Sequence, residues 1–190
     1  GHYILHRQAR ESFQCSDADM VNWSQDDKDI EGQADLFASY LLMPLDDYRK
    51  QVTTAVDLDL LGHCADRYGV SLTAAILKWL QYTEEKAVLV MSRDGFMNWA
   101  WSSEPASKAG AFFRTRSNVI PVPDGSLAAN VKIKDDRAGT QIPASIWFPH
   151  ASADASLREM KIHAEQYGAV LTLLHLPRSV NVWAPWAGGD

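Results

Sequence analysis

The sequence predicts an α+β protein, helices first and an antiparallel sheet second, and two observations carry that reading. Up to about residue 84 the apolar residues recur at helical spacing, whereas from Ala87 onward they fall in short strand-like runs separated by Gly and Pro. The change of period places a boundary near residue 84, between a helical region at 1–84 and a sheet region at 85–190 that carries one or two packed helices. A chain of 190 residues, 46% hydrophobic and 22% charged, can bury a core in one or two such units.

Taken in order, residues 1–13 set Tyr3, Ile4, Leu5 and Phe13 among polar residues, an amphipathic helix that opens without a visible cap and whose start is expected before Gly1. Asp17, Asp19, Asp26, Asp27 and Asp29 mark residues 14–29 as a solvent-exposed connection. From Ile30 to Met43 the spacing of Ala34, Leu36, Phe37, Tyr40, Leu41 and Met43 predicts the strongest helix of the chain, stopped by Pro44. Leu58 to Tyr68, a break at Gly69, and a helix from Ser71 to about Thr83 give a helix-turn-helix outline, with Ser71 a good N-cap. AVLVMS at 87–92, RDG at 93–95 and FMNWAW at 96–101 predict a hairpin. Beyond it, Pro121, Pro123, Pro143 and Pro149 punctuate short runs such as SIWF (145–148) and AVLTLLHL (169–176), read as sheet, with a helix expected over 154–167. The tail from Trp183 to Asp190 is expected to be loosely held.

Charge and composition narrow the functional classes. A formal net charge of −6 argues against a protein that binds nucleic acid through a broadly basic surface. Cys15 and Cys64 stand far apart without CxxC spacing, which fits a reducing compartment and supplies neither a disulfide framework nor a thiolate zinc site. No stretch approaches the roughly 18 apolar residues of a membrane span, and no secretory leader is evident, so a cytoplasmic location is expected.

Two features near the start become informative together: His2 within GHYILH, and EGQAD at 31–35 at the head of the next helix. Zinc peptidases of the HExxH type need two histidines one helical turn apart, with a glutamate over the metal-bound water and a third ligand from another helix. Where that third ligand is a glutamate, an aspartate one turn later can fix the tautomer of a ligating histidine, and Glu31 and Asp35 have that spacing. On residue types alone the two carboxylates read first as a charged helix N-terminus favoured by the macrodipole.

GHYILH (1–6) and EGQADLFASYLLMP (31–44) fit the strings HE-x-GH-x-x-LH and E-x-[EQ]-A-[ND]-x-FA-x-x-LLMP, followed in order by GVS at 69–71 and SRDG at 92–95. In these residues the chain resembles the ImmA/IrrE family of zinc metallopeptidases, well over residues 1 to about 105 and loosely thereafter. The resemblance implies a gluzincin-like helical region, with His2 as the second histidine of HExxH, Glu31 as the third protein ligand of zinc and Asp35 as the partner of a ligating histidine. It also places the first histidine and the general-base glutamate before Gly1. The chain is therefore expected to begin within its metal-binding helix and to be inactive as it stands, with no catalytic residue of its own. His2 and His6 are four apart and could offer two nitrogens to a metal, but the residues between them contain no carboxylate.

The implied activity is zinc-dependent hydrolysis of a peptide bond, with zinc polarising the scissile carbonyl and lowering the pKa of its bound water to about 7. The implied substrate class is a helix-turn-helix transcriptional repressor, and the implied role is transcription regulation. A second reading is a non-catalytic regulatory or sensor protein that binds a repressor or a small ligand without metal, in which 85–190 is GAF-like.

Other features have plainer readings. The helix at 71–83 presents Leu72, Ala74, Ala75, Ile76, Leu77 and Trp79, with Lys78 its only cation, a surface suited to packing rather than to reading base edges. Trp99, Trp101, Trp147, Trp183 and Trp186 are read first as sheet core, with a ligand pocket as the alternative. His150, His163 and His175 lack ligand spacing.

Overall fold

The computed structural model describes residues 38–52, 55–164 and 168–184. They divide into two units, one of residues up to 56 together with 60–78, the other of 57–59 with 79 onward. The helices expected at 1–13 and at the start of 30–43, and the connection at 14–29, lie outside the described residues.

In the first unit residues 38–42 are helical and the chain bends at Met43, whose N–H closes the last turn on the Ser39 carbonyl at 3.0 Å. Pro44 stops this helix as expected and also opens another that the sequence reading does not place, α1 (Leu45–Gln51). Its logic is local. Pro44 precedes it, Asp46 and Asp47 sit in its first turn, and Arg49 and Lys50 in its last, each charge favoured by the helix dipole at that end. Tyr48, fully buried, donates its hydroxyl to the Ala75 carbonyl at 2.6 Å and stacks on Tyr68 with centroids 5.6 Å apart.

The second helix, α2 (Leu58–Tyr68), buries Leu58, Leu61, Cys64 and Ala65, which recur at three- and four-residue intervals along one face. It ends at Gly69, whose φ of +62° is the left-handed conformation that glycine adopts without a Cβ penalty. The third, α3 (Leu72–Tyr82), follows after Ser71, whose hydroxyl accepts from the Ala74 N–H at 3.1 Å as an N-cap should. From Ala75 to Leu80 every residue of α3 is buried, Lys78 included.

The second unit is built on a six-stranded antiparallel sheet. In chain order the strands are β1 (Lys86–Arg93), β2 (Phe96–Ser102), the two-residue β3 (Ile120–Pro121), β4 (Asp136–Pro143), β5 (Ser156–Ala164) and β6 (Ala169–Leu176), and they lie side by side as β3-β2-β1-β6-β5-β4. β1 and β2 form the expected hairpin. Its turn places Asp94 at φ 52° and Gly95 at φ 79°, the two positive angles that suit the twist of a tight hairpin. β1 and β6 occupy the centre in register from Lys86↔Leu176 to Arg93↔Ala169. One face carries Val88, Val90, Leu157, Leu174 and Leu176, packed under Ala106, Val122, Ala144, Trp147 and Phe148. The other presents Leu89, Met91, Met160, Leu171 and Leu173, all buried. A short helix, α4 (Glu104–Lys108), follows β2 and is capped by the buried Ser103.

Three expectations for this unit are corrected. Residues 154–167 do not form a helix, because 156–164 are the strand β5. SIWF is not a strand: Ala144–Ile146 is a 3₁₀ turn, and it lets the consecutive Trp147 and Phe148 both go inward, which the alternation of a strand forbids. Trp183 is tied down rather than loose, its indole N–H donating to the Lys108 carbonyl at 2.7 Å while Val182 N–H bonds to the Ala109 carbonyl.

Candidate functional site

His2 and Glu31, assigned from sequence as zinc ligands, and Asp35, assigned as the partner of a ligating histidine, lie outside the described residues. Among the described residues no three His, Cys, Asp or Glu side chains gather as a metal-binding set. The zinc expectation therefore rests on the sequence strings, and the described residues by themselves offer the metal no fitting site.

What the described residues do show is the surface met by the end of the helix that follows Asp35. Ser39 and Tyr40 lie on it, and both are approached by Lys78 of α3. Lys78 is only 1% exposed. Its Nζ lies 3.4 Å from Ser39 Oγ, a weak hydrogen bond, and 4.0 Å from the centroid of the Tyr40 ring, a cation–π contact. Burial pushes the Lys78 ammonium below the ordinary lysine value. The sequence signal for this residue is visible afterwards: a single cation inside the apolar run LTAAILKWL.

A second group of polar side chains joins α1 to α2. Asp47 Oδ2 accepts from the Tyr68 hydroxyl at 2.7 Å and from Arg67 at 3.3 Å, and these bonds, the tyrosine's first, hold the Asp47 carboxyl below its usual value. The residues involved are substantially exposed, so the ion pair contributes little beyond orientation.

Two clusters in the sheet unit escape sequence reasoning. On β5 the fully buried Glu159 accepts from Ala128 N–H at 2.8 Å and from the Trp147 indole at 2.9 Å. Two residues along, Lys161 is 2% exposed and donates to the carbonyls of Leu127 at 3.1 Å and Asn130 at 2.8 Å. Burial raises the pKa of the first and lowers that of the second, while their hydrogen bonds staple the turns at 126–130 to the sheet. At the end of β6, His175 Nδ1 faces Arg158 Nη2 at 3.4 Å, and its Nε2 is 3.5 Å from Glu85 Oε2. Glu85 is gripped by Arg178 at 2.6 Å, which holds its pKa down, and the edge of Trp79 closes over the imidazole at a centroid distance of 6.4 Å. Burial first, then the Arg158 charge, lowers the His175 pKa. These groups hold the sheet unit together, and their partners are internal.

No helix among the described residues is long and apolar enough to cross a membrane. Residues 1–80 match the family model of the IrrE N-terminal-like domain, a peptidase family, and the match takes in His2, Glu31, Asp35 and all of α1 and α2. No curated protein matches the chain.

Proposed function

Residues 1–80 belong to the ImmA/IrrE metallopeptidase family, and from that membership we propose that they furnish ligands of a zinc-peptidase site, His2 and Glu31, with Asp35 orienting a ligating histidine. The observation that carries the reading is the family match itself, which spans the two strings GHYILH and EGQADLFASYLLMP. Zinc bound there would act as a Lewis acid on a peptide carbonyl. The substrate is a protein, and the family points to a helix-turn-helix transcriptional repressor, met in the cytoplasm. This sequence contains no complete HExxH, so hydrolysis would need a histidine and a glutamate that it does not supply.

A second reading follows from the other part of the chain. Residues 81–190 lie outside the match and hold the whole six-stranded sheet. In this reading the protein is a non-catalytic regulator, in which the helical region docks a repressor and a GAF-like sheet region senses a small ligand. Elemental analysis of the purified chain and of its Glu31→Ala variant separates the two. One zinc per chain, lost in the variant, supports the metal site. Absence of zinc from both after incubation with the metal removes that site and leaves the regulator.

A further inference from the structure

In a chain of formal net charge −6, the stretch between Glu104 and Asp124 holds no acidic residue but carries Lys108, Arg114 and Arg116. Lys108 is paired with Glu104 at 2.7 Å, and elsewhere Arg67, Arg137 and Arg178 are held by Asp47, Asp59 and Glu85. Arg114 and Arg116 are both exposed and have no carboxylate partner among the described residues. The turn that bears them is fixed on both sides. Phe113 packs on Phe148 and Trp147 with centroids 5.3 and 5.9 Å away, and Ile120 pairs with Met97 where β3 meets β2. Between these anchors the N–H groups of Ser117 and Asn118 both close on the Arg114 carbonyl, at 3.3 and 3.2 Å.

Beside the turn stands a row of aromatic surface. Arg114 lies over the Phe112 ring, 5.7 Å from Cζ to the centroid, and Phe112 meets Trp183 edge-on at 5.7 Å. Trp183 is held by its bond to the Lys108 carbonyl and lies over Gly110, where a Cβ would come within 2.9 Å of the ring, yet it remains 55% exposed. Tryptophan and arginine are the residue types that carry most binding energy at protein interfaces, and side chains already held in place lose little freedom on docking. Two guanidiniums without counter-ions fit carboxylates or phosphates. The number of cations decides between these. Nucleic acid is bound through the release of counterions by many cations, and a lipid surface through clusters of about four to eight, whereas this surface offers two free arginines in an acidic chain. We propose that it docks an acidic segment of a protein partner, with carboxylates on Arg114 and Arg116 and an apolar side chain against Trp183. The surface lies outside residues 1–80 and needs no metal, so it holds or fails independently of the peptidase reading.

The test titrates the full chain with a fluorescein-labelled peptide of three Asp-Glu-Leu-Phe repeats, read by anisotropy at low salt. Three probes run beside it: the same peptide with lysine in place of its acids, an oligothymidylate of equal length, and phosphatidylserine vesicles. The acidic peptide should bind and the lysine peptide should not. Charge reversal, Arg114→Glu with Arg116→Glu, should raise the Kd of the acidic peptide about tenfold, and added salt should weaken wild-type binding. In NMR spectra of the wild type, the Trp183 indole N–H and the Nε–H groups of Arg114 and Arg116 should shift as the peptide is added. No binding of the acidic peptide up to millimolar concentration overturns the proposal, as does an affinity unchanged by charge reversal. Tighter binding of oligothymidylate or of vesicles, lost on charge reversal, also overturns it and gives the surface to a phosphate-bearing partner. Both arginines are exposed and make no ion pair among the described residues, so the variant should keep the wild-type urea midpoint. Should it not, Arg114→Gln with Arg116→Gln removes the charge without reversing it and reads the same Kd.

Discussion

At the scale of single residues, the strongest constraints in the sheet unit are polar groups out of reach of water. The Ser103 hydroxyl donates to the Glu85 carbonyl at 2.7 Å and accepts from the N–H groups of Ala87 at 3.1 Å and Ala106 at 3.3 Å. It caps α4 and at the same time fastens the ends of the β1–β2 hairpin. Ser103→Ala strands all three backbone groups in a site with no solvent, and should cost about 1–3 kcal/mol, read as a lower urea midpoint with an unchanged slope. His175 acts through charge instead. Its folded pKa is lowered from 6.5, chiefly by burial and then by Arg158, so the fold prefers the neutral ring. The stability this supplies is full above the unfolded value and is lost as pH falls through the folded one. Wild-type stability should therefore decline as pH drops below 6.5, and His175→Gln should flatten that limb. Glu85, with its pKa held down by Arg178, titrates at lower pH and leaves the difference between the two profiles readable. Parallel profiles for wild type and variant would remove His175 as the cause.

At the scale of elements, the bulge where β4 meets β5 depends on one glycine. Gly139 has φ +83°, and a Cβ placed there would sit 2.5 Å from Met160 Cγ and 3.0 Å from the Glu159 carbonyl. Asp136 secures the bulge by accepting from Gly139 N–H at 2.8 Å and from the Thr140 hydroxyl at 2.7 Å. Gly139→Ala adds backbone strain to a clash and should destabilise by about 1–3 kcal/mol; thermal unfolding within error of the wild type would count against a rigid bulge. The same stretch explains why β5 is hard to read from sequence. Its residues Leu, Arg, Glu, Met and Lys are good helix formers, and its inward face is Leu157, Glu159 and Lys161, two of them charged, while the other face carries Met160 and Ile162. Alternation is the signal that marks a strand, and two buried charges erase it. β1 and β6 are legible because their apolar residues are buried as such, β2 because the RDG turn ties it to β1 as a hairpin although only Met97 and Trp99 on it are buried, and α2 and α3 because glycine and serine punctuate them. α1 escapes because a seven-residue helix of mostly polar residues lacks the two turns of apolar periodicity that detection needs. For the candidate site, Glu31 and Asp35 are legible as a motif, whereas Lys78 becomes conspicuous only once its burial is known.

At the scale of the whole molecule, the family match and the sheet occupy different stretches of chain, and the spectroscopic probes divide in the same way. Six of the seven tryptophans, all but Trp23, belong to the unit of residues 57–59 and 79 onward, so indole fluorescence reports chiefly on the sheet. Far-UV ellipticity at about 222 nm is weighted instead toward helices, among them α1 and most of α2 and α3 in the first unit. A ligand that binds only the folded state stabilises it by mass action, by about 2.7 kcal/mol at a hundred times its Kd. If His2 and Glu31 bind zinc, adding the metal should raise the midpoint of the helical signal, a chelator should return it, and Glu31→Ala should remove the response. Because a metal site in residues 1–35 ties its ligands to the first unit's fold, the ellipticity transition must move whether or not the fluorescence transition moves with it. An ellipticity midpoint unmoved by saturating zinc would mean that His2 and Glu31 do not meet on a metal, and would turn the search for function to what the helical unit docks and what the sheet binds.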